Sequence, residues 1–215
     1  MIDPAEVSAR LELVRGRLRA VGGDDVRIIA VTKAFGRDAV DAAAIVGLSD
    51  IGESYAQETI EKLGERDTEA TVHFIGGLQR NKVRKLAGIV DVWQSVDRAE
   101  LVDEIAKRTQ GAQIMLQVDI SDEESKGGCA AEDVPDLLER AQAGGLEVVG
   151  LMGIGPIGEP EDARPGFRRL RALVDQFGLR ECSMGMTADL EVAVEEGSTM
   201  IRVGTALFGP RPVRP

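Results

Sequence analysis

Apolar runs and amphipathic stretches alternate along nearly the whole chain, and this alternation constrains the fold more than any single motif. Strand-like runs fall at Arg27–Thr32, Leu48–Gly52, Thr71–Ile75, Val90–Gln94, Gln113–Ile120, Glu147–Met152, Arg180–Met184 and Thr199–Val203. Helix-like stretches separate them at Arg37–Val46, Ser54–Leu63, Gln79–Ala87, Arg98–Arg108, Ala131–Ala143, Ala163–Phe177 and Leu190–Glu195. Strand starts recur roughly every 25 residues, the spacing of short βα crossovers. Repeated units of this kind close most simply into a (β/α)8 TIM barrel, with an open doubly wound sheet as the competing arrangement. Before the first strand, Val7, Leu11, Val14, Leu18 and Val21 form one apolar stripe, which predicts a helix over Pro4–Val21 capped by Asp3 and ended by Gly22-Gly23. Little chain follows the last strand, so this N-terminal helix is expected to cover the place of a full eighth helix. Without a linker or low-complexity segment, residues 1–215 are expected to form one domain: a helix over 1–22 and a barrel over 26–209.

Composition narrows the function classes. With 26 basic and 37 acidic residues the net charge is −11, and no lysine/arginine block supports nucleic-acid binding. No run suits a membrane span and no signal-peptide pattern opens the chain. Cys129 and Cys182 lack metal-ligand spacing and read as reduced thiols of a cytoplasmic protein. One histidine and one tyrosine leave a short list of acid/base groups.

In barrels the reactive groups sit beyond the carboxyl ends of the strands. Lys33 follows the first strand directly, in V-R-I-I-A-V-T-K-A-F. A free lysine amine has a pKa of ~10.4, and partial desolvation lowers it and frees a nucleophile for a carbonyl. The plain alternative is a lysine that snorkels at a strand end. After strand two, Ser54 either meets a ligand or caps the next helix, and Glu53 reads as solvated. His73 lies within strand three, where a buried structural histidine is the simpler reading. The acidic loop Ser121–Gly128 holds no evident metal set; its Ser-Lys-Gly-Gly end suits either an anion nest or a solvated loop. Thr187 follows strand seven and Gly204-Thr205 follow strand eight, the places where barrels commonly hold phosphate. Arg202, inside an apolar strand, needs a partner: a ligand atom or a structural carboxylate. An amine after strand one, with phosphate and arginine positions after strands seven and eight, fits a phosphorylated aldehyde such as pyridoxal 5′-phosphate (PLP).

The motifs A-V-T-K, I-G-E-S-Y, H-F-I-G-G-L-Q-R-N-K, I-S-D-E-E-S-K-G-G, G-L-M-G-I, S-M-G-M-T-A-D and G-S-T-M-I-R-V-G-T-A-L-F-G occur in order from Ala30 to Gly209. Together they closely resemble the pyridoxal phosphate homeostasis protein family. The resemblance implies a barrel like the alanine racemase N-terminal domain, usually monomeric, which binds PLP and takes part in vitamin B6 and amino-acid balance without established catalysis. It makes Lys33 the Schiff-base lysine holding PLP as an aldimine. Arg202 would face the pyridine nitrogen, Thr187, Gly204 and Thr205 would hold the phosphate, and Ser54 would stand beside the ring, where the family commonly has asparagine. Thr187 and Thr32 replace usual serines, and Gly77 a usual proline. Apo PLP enzymes are the implied recipients. An arginine cannot donate a full proton to the ring nitrogen, which argues for a carrier with slow or absent turnover. The alternatives are a PLP-dependent racemase or decarboxylase using His73 or Tyr55 with Lys33, and a cofactor-free Schiff-base aldolase acting on a sugar phosphate.

Overall fold

The computed structural model describes residues 1–65, 67–121 and 127–211. Its centre is a closed barrel of parallel strands in chain order: β1 (Arg27–Val31), β2 (Asp50–Glu53), β3 (Thr71–Phe74), β4 (Val92–Val96), β5 (Gln113–Gln117), β6 (Glu147–Met152), β7 (Glu181–Ser183) and β8 (Met200–Val203). Pairing of Arg27–Ala30 with Met200–Val203 closes the ring. The fold is a (β/α)8 TIM barrel.

Inward and outward positions alternate along the strands, as a pleat requires. Ile29, Val92, Met115, Val149, Met152 and Met200 pack together inside the ring. Their neighbours Ala30, Trp93, Ile114, Leu116, Leu151 and Ile201 instead join the larger core between barrel and helices. Because aromatic residues are scarce, unbranched methionines fill much of the interior.

The helices are α1 (Pro4–Ala20), α2 (Arg37–Ile45), α3 (Ala56–Leu63), α4 (Arg80–Leu86), α5 (Ala99–Arg108), α6 (Val134–Ala143), α7 (Arg164–Gln176), α8 (Leu190–Glu195) and α9 (Thr205–Phe208). The side chain of Asp3 accepts from the Ala5 N–H and caps α1, whose buried stripe is Val7, Leu11, Val14 and Leu18. As expected, α1 lies where an eighth barrel helix would, packed on α2, α8 and α9. Arg17 grips Glu191 of α8 through two bonds of 2.5 and 2.6 Å.

Three strand predictions shift. Apolarity predicts that strands start at Leu48 and Val90, yet β2 begins at Asp50 and β4 at Val92. Leu48 donates its N–H to Ala43 O just after Gly47, whose φ of +79° ends α2, so it plugs a helix terminus. Val90 bonds back to Leu86 O in the same way. β5 stops at Gln117, and beyond it Val118 forms an isolated bridge to Cys129 and donates its N–H to Met152 O. Residues 122–126 of the acidic Ser121–Gly128 loop lie outside the described residues, and with them most of the anion-nest expectation.

Candidate functional site

At the carboxyl mouth of the barrel, β1, β7, β8 and the segments that follow them enclose a cavity of about 260 Å3. Lys33, Thr187, Arg202, Gly204 and Thr205 all line it, together with Val31, Ile75, Ile154 and Arg211. Five of the six residues selected from the sequence therefore share one cavity.

Lys33 owes its place to an unusual turn. Phe35 N–H donates to Thr32 O at 3.1 Å, closing a tight turn in which Ala34 has φ +68°. A non-glycine residue in that region is uncommon and strained. A buried ionic cluster holds it there. Ala34 N–H donates to Glu58 Oε1 at 2.6 Å. Lys62 Nζ donates to Thr32 O at 2.8 Å, to Glu53 Oε1 at 2.7 Å and to Glu58 Oε1 at 3.0 Å. Thr32 Oγ1 adds a 2.5 Å bond to Glu53. Glu53 is fully buried, which corrects its reading as a solvated residue, and among the described residues its Oε2 has no hydrogen-bond partner. Burial pushes the Glu53 carboxyl above its ordinary range, and the Lys62 charge opposes that shift without overcoming it. This cluster was missed at the sequence level; its one local signal was the Glu58/Lys62 spacing of four on a helix.

The electrostatics suit an amine nucleophile. Burial of Lys33, then the charges of Arg211 and Arg202, hold its pKa below the ordinary lysine value, against the opposing pull of Glu53 and Glu58. Arg211 was not selected from the sequence, because nothing in G-P-R-P announces that it turns back over the mouth.

Beyond β7 and β8, the Thr187 and Thr205 hydroxyls stand 3.5 Å apart. Thr205 opens α9, and first-turn amides of a helix have no intrahelical acceptor. Thr187 is placed by the β7–α8 loop, where Gly185 takes φ +92° and Asp189 accepts from the Met186 N–H at 2.6 Å. A Cβ on Gly185 would come within 2.5 Å of the Ala193 side chain, so the loop lies close against α8.

Arg202 is buried and meets neutral oxygens: Nη1 donates to Ser183 O and Oγ at 2.8 and 2.7 Å, and Nη2 to Gly153 O at 2.8 Å. Among the described residues it makes no ion pair, so the structural salt bridge considered from the sequence is not what holds it. Burial lowers its pKa to about 10, still leaving it charged at neutral pH.

Ser54 is the exception. It does not line the cavity, and it does not hold the N-cap position of α3, which is Tyr55. A Cβ on Gly76 would come within 2.1 Å of Ser54 O, so the Ser54 backbone is pressed against the segment after β3. His73 is also outside the cavity, deep in the barrel and bonded on both ring nitrogens. Among the described residues no cluster of histidine, cysteine and carboxylate groups suits a metal ion. Both cysteines are buried free thiols, and no described helix is long and apolar enough to cross a membrane.

Comparison with known proteins places the chain in a family. Residues 2–212 match the family model described as alanine racemase, N-terminal domain. The pyridoxal phosphate homeostasis protein of Pseudomonas aeruginosa is 40% identical, with 96% of this chain and 94% of that protein covered. Its counterpart in Aquifex aeolicus is 39% identical, with 88% and 89% covered. This chain belongs to the pyridoxal phosphate homeostasis protein family. The structure of PipY from Synechococcus elongatus with PLP bound superposes with a TM-score of 0.80 at 32% identity, covering 94% of this chain and all of that one (100%). The motifs that resembled this family in the sequence sort by place in the fold. A-V-T-K, S-M-G-M-T-A-D and the stretch ending in V-G-T-A-L-F-G line the cavity, whereas I-G-E-S-Y contributes Glu53 to the support beneath it.

Proposed function

We propose that this chain binds PLP covalently through Lys33 and serves vitamin B6 and amino-acid homeostasis as a cytoplasmic, monomeric single-domain carrier with little or no turnover. The observation that carries this reading is the convergence on one cavity of a lysine with a lowered pKa, paired threonine hydroxyls and two guanidinium groups. PLP suits that donor set because it bears an aldehyde at one end of its ring and a phosphate on an arm. Bound, it supplies an electrophilic carbonyl and a conjugated ring. The protein does the rest: Lys33 presents an amine that deprotonates more readily than a free one, and Thr187, Gly204 and Thr205 offer hydroxyls and amides to the phosphate. Arg202 offers a charged donor toward the ring nitrogen that keeps its own proton. The relatives' names and the PLP-bound PipY structure support the same ligand.

The racemase or decarboxylase alternative needs a second acid/base at the ring. His73 is buried away from the cavity, and Tyr55 is half-exposed and outside its lining, so neither supplies one. PLP titration followed by absorbance should show binding that Lys33→Ala reduces to weak, phosphate-driven association. Loss of α-deuterium across a panel of amino acids should stay far below enzyme-like rates. Turnover near ~1 per second or faster would overturn the carrier reading, and a protein without any PLP-dependent absorbance band would overturn the ligand. Apo PLP enzymes remain the proposed recipients.

A further inference from the structure

The only histidine of the chain belongs to a continuous line of polar side chains inside the barrel. It begins at Arg202, whose Nη1 donates to Ser183 Oγ at 2.7 Å. Ser183 Oγ donates to Gln94 Oε1 at 2.8 Å. Gln94 Nε2 lies 2.8 Å from His73 Nδ1, and His73 Nε2 lies 2.8 Å from Asp50 Oδ1. The upper end faces the cavity with Lys33, and the lower end borders the openings at the opposite mouth. Every member is buried.

The two ends and the orientation of the Gln94 amide together set the donor order. A guanidinium only donates and a carboxylate only accepts. Arg202 donates into one Ser183 lone pair, and the Ser183 hydroxyl in turn donates to the Gln94 carbonyl. That leaves the Gln94 amide nitrogen facing His73, with its other hydrogen toward Met200 Sδ at 3.5 Å. His73 Nδ1 must then accept and Nε2–H must donate to Asp50. The ring is therefore neutral and in one tautomer. Protonating Nδ1 would force the Gln94 amide to turn over, setting its NH2 against Ser183 and stranding the Ser183 hydrogen. At the far end, burial disfavours the Asp50 carboxylate, but bonds from His73 and Ser49 outweigh this and hold its pKa below the ordinary value.

We propose that Ser183, Gln94, His73 and Asp50 act as a polar column of positioning residues that sets the orientation of Arg202 from inside the barrel. A change on the ring-facing side of Arg202 then registers at His73. The tautomer assignment stands on the geometry alone, whereas the response to ligand rests on the PLP reading above.

Because the chain has one histidine, nitrogen–proton NMR of its imidazole reports on the column directly. The expected wild-type spectrum shows a protonated Nε2 and a bare Nδ1. Gln94→Glu, which presents acceptors on both sides of the ring, should convert it to the doubly protonated form. Adding PLP should shift the Nδ1 signal in the wild type, and Ser183→Ala should abolish that shift while weakening PLP binding about tenfold. A ring protonated on Nδ1 in the wild type, or one still neutral in Gln94→Glu at pH 7, would refute the column. So would a PLP-induced shift that survives intact in Ser183→Ala. If Ser183→Ala fails to fold, the wild-type tautomer and Gln94→Glu still decide. If the wild type takes up no PLP by absorbance, the functional reading fails while the tautomer and Gln94→Glu results still judge the column.

Discussion

The placement of Lys33 was legible in the sequence, since an apolar run that ends on a lysine puts that amine at a barrel mouth; its reading as a nucleophile drew on the phosphate and arginine positions after strands seven and eight. What the sequence could not show is how strongly the neighbours act on it. Arg211 follows burial as the next largest cause lowering the Lys33 pKa. Removing its charge in Arg211→Gln should raise that pKa. Covalent capture needs the neutral amine, so its rate rises with pH through the Lys33 pKa, and the profile of the variant should move to higher pH. Phosphate affinity should fall as well, since a cation is lost from the mouth. Stopped-flow absorbance at a series of pH values checks both, and an unmoved profile would remove Arg211 from the site. Glu53 teaches the complementary lesson. Its place beside Ser54 and Tyr55 suggests a solvated residue, but its strand position buries it, and that burial raises its pKa against the opposing charge of Lys62.

At the scale of elements, strand identity was readable because buried parallel strands are written as apolar runs, and helices because their stripes are regular. Ends were less readable, since Leu48 and Val90 are buried without being in strands. The four-residue α9 has no periodicity to detect. The ionic clamp joins α3 to the β1–α2 turn, and Lys62→Met would leave two carboxylates without their shared cation. Loss of one partner of a buried pair costs about 3–5 kcal/mol. Thermal unfolding should show that loss, with slower PLP capture as Ala34 relaxes; unchanged stability and capture would mean the turn holds itself. α1 offers a contrast. Leu11→Ala should cost about 2–5 kcal/mol through the cavity it leaves. Arg17→Ala removes a partly exposed ion pair and should cost about 1 kcal/mol or less. Urea titration of both variants checks the order, and a reversed order would show that α1 is held by charge and not by packing.

Across the whole molecule, an acidic chain of net charge −11 gathers Lys33, Arg202 and Arg211 at one mouth. Binding an anionic ligand there should weaken as ionic strength rises; titrations at low and high salt check this, and equal affinities would argue against a phosphate grip. The barrel itself was foreseeable from the βα alternation, and so was the gathering of Lys33, Thr187, Arg202, Gly204 and Thr205 at its carboxyl mouth. The polar column was not, because it joins residues on four strands far apart in sequence, and hydrogen-bond direction has no sequence signature. Covalent capture at Lys33 is most directly tested by adding PLP, reducing with borohydride and mapping the product by peptide mass spectrometry. The account predicts a single pyridoxyl group on Lys33; labelling of another lysine such as Lys62, or of none, would contradict it.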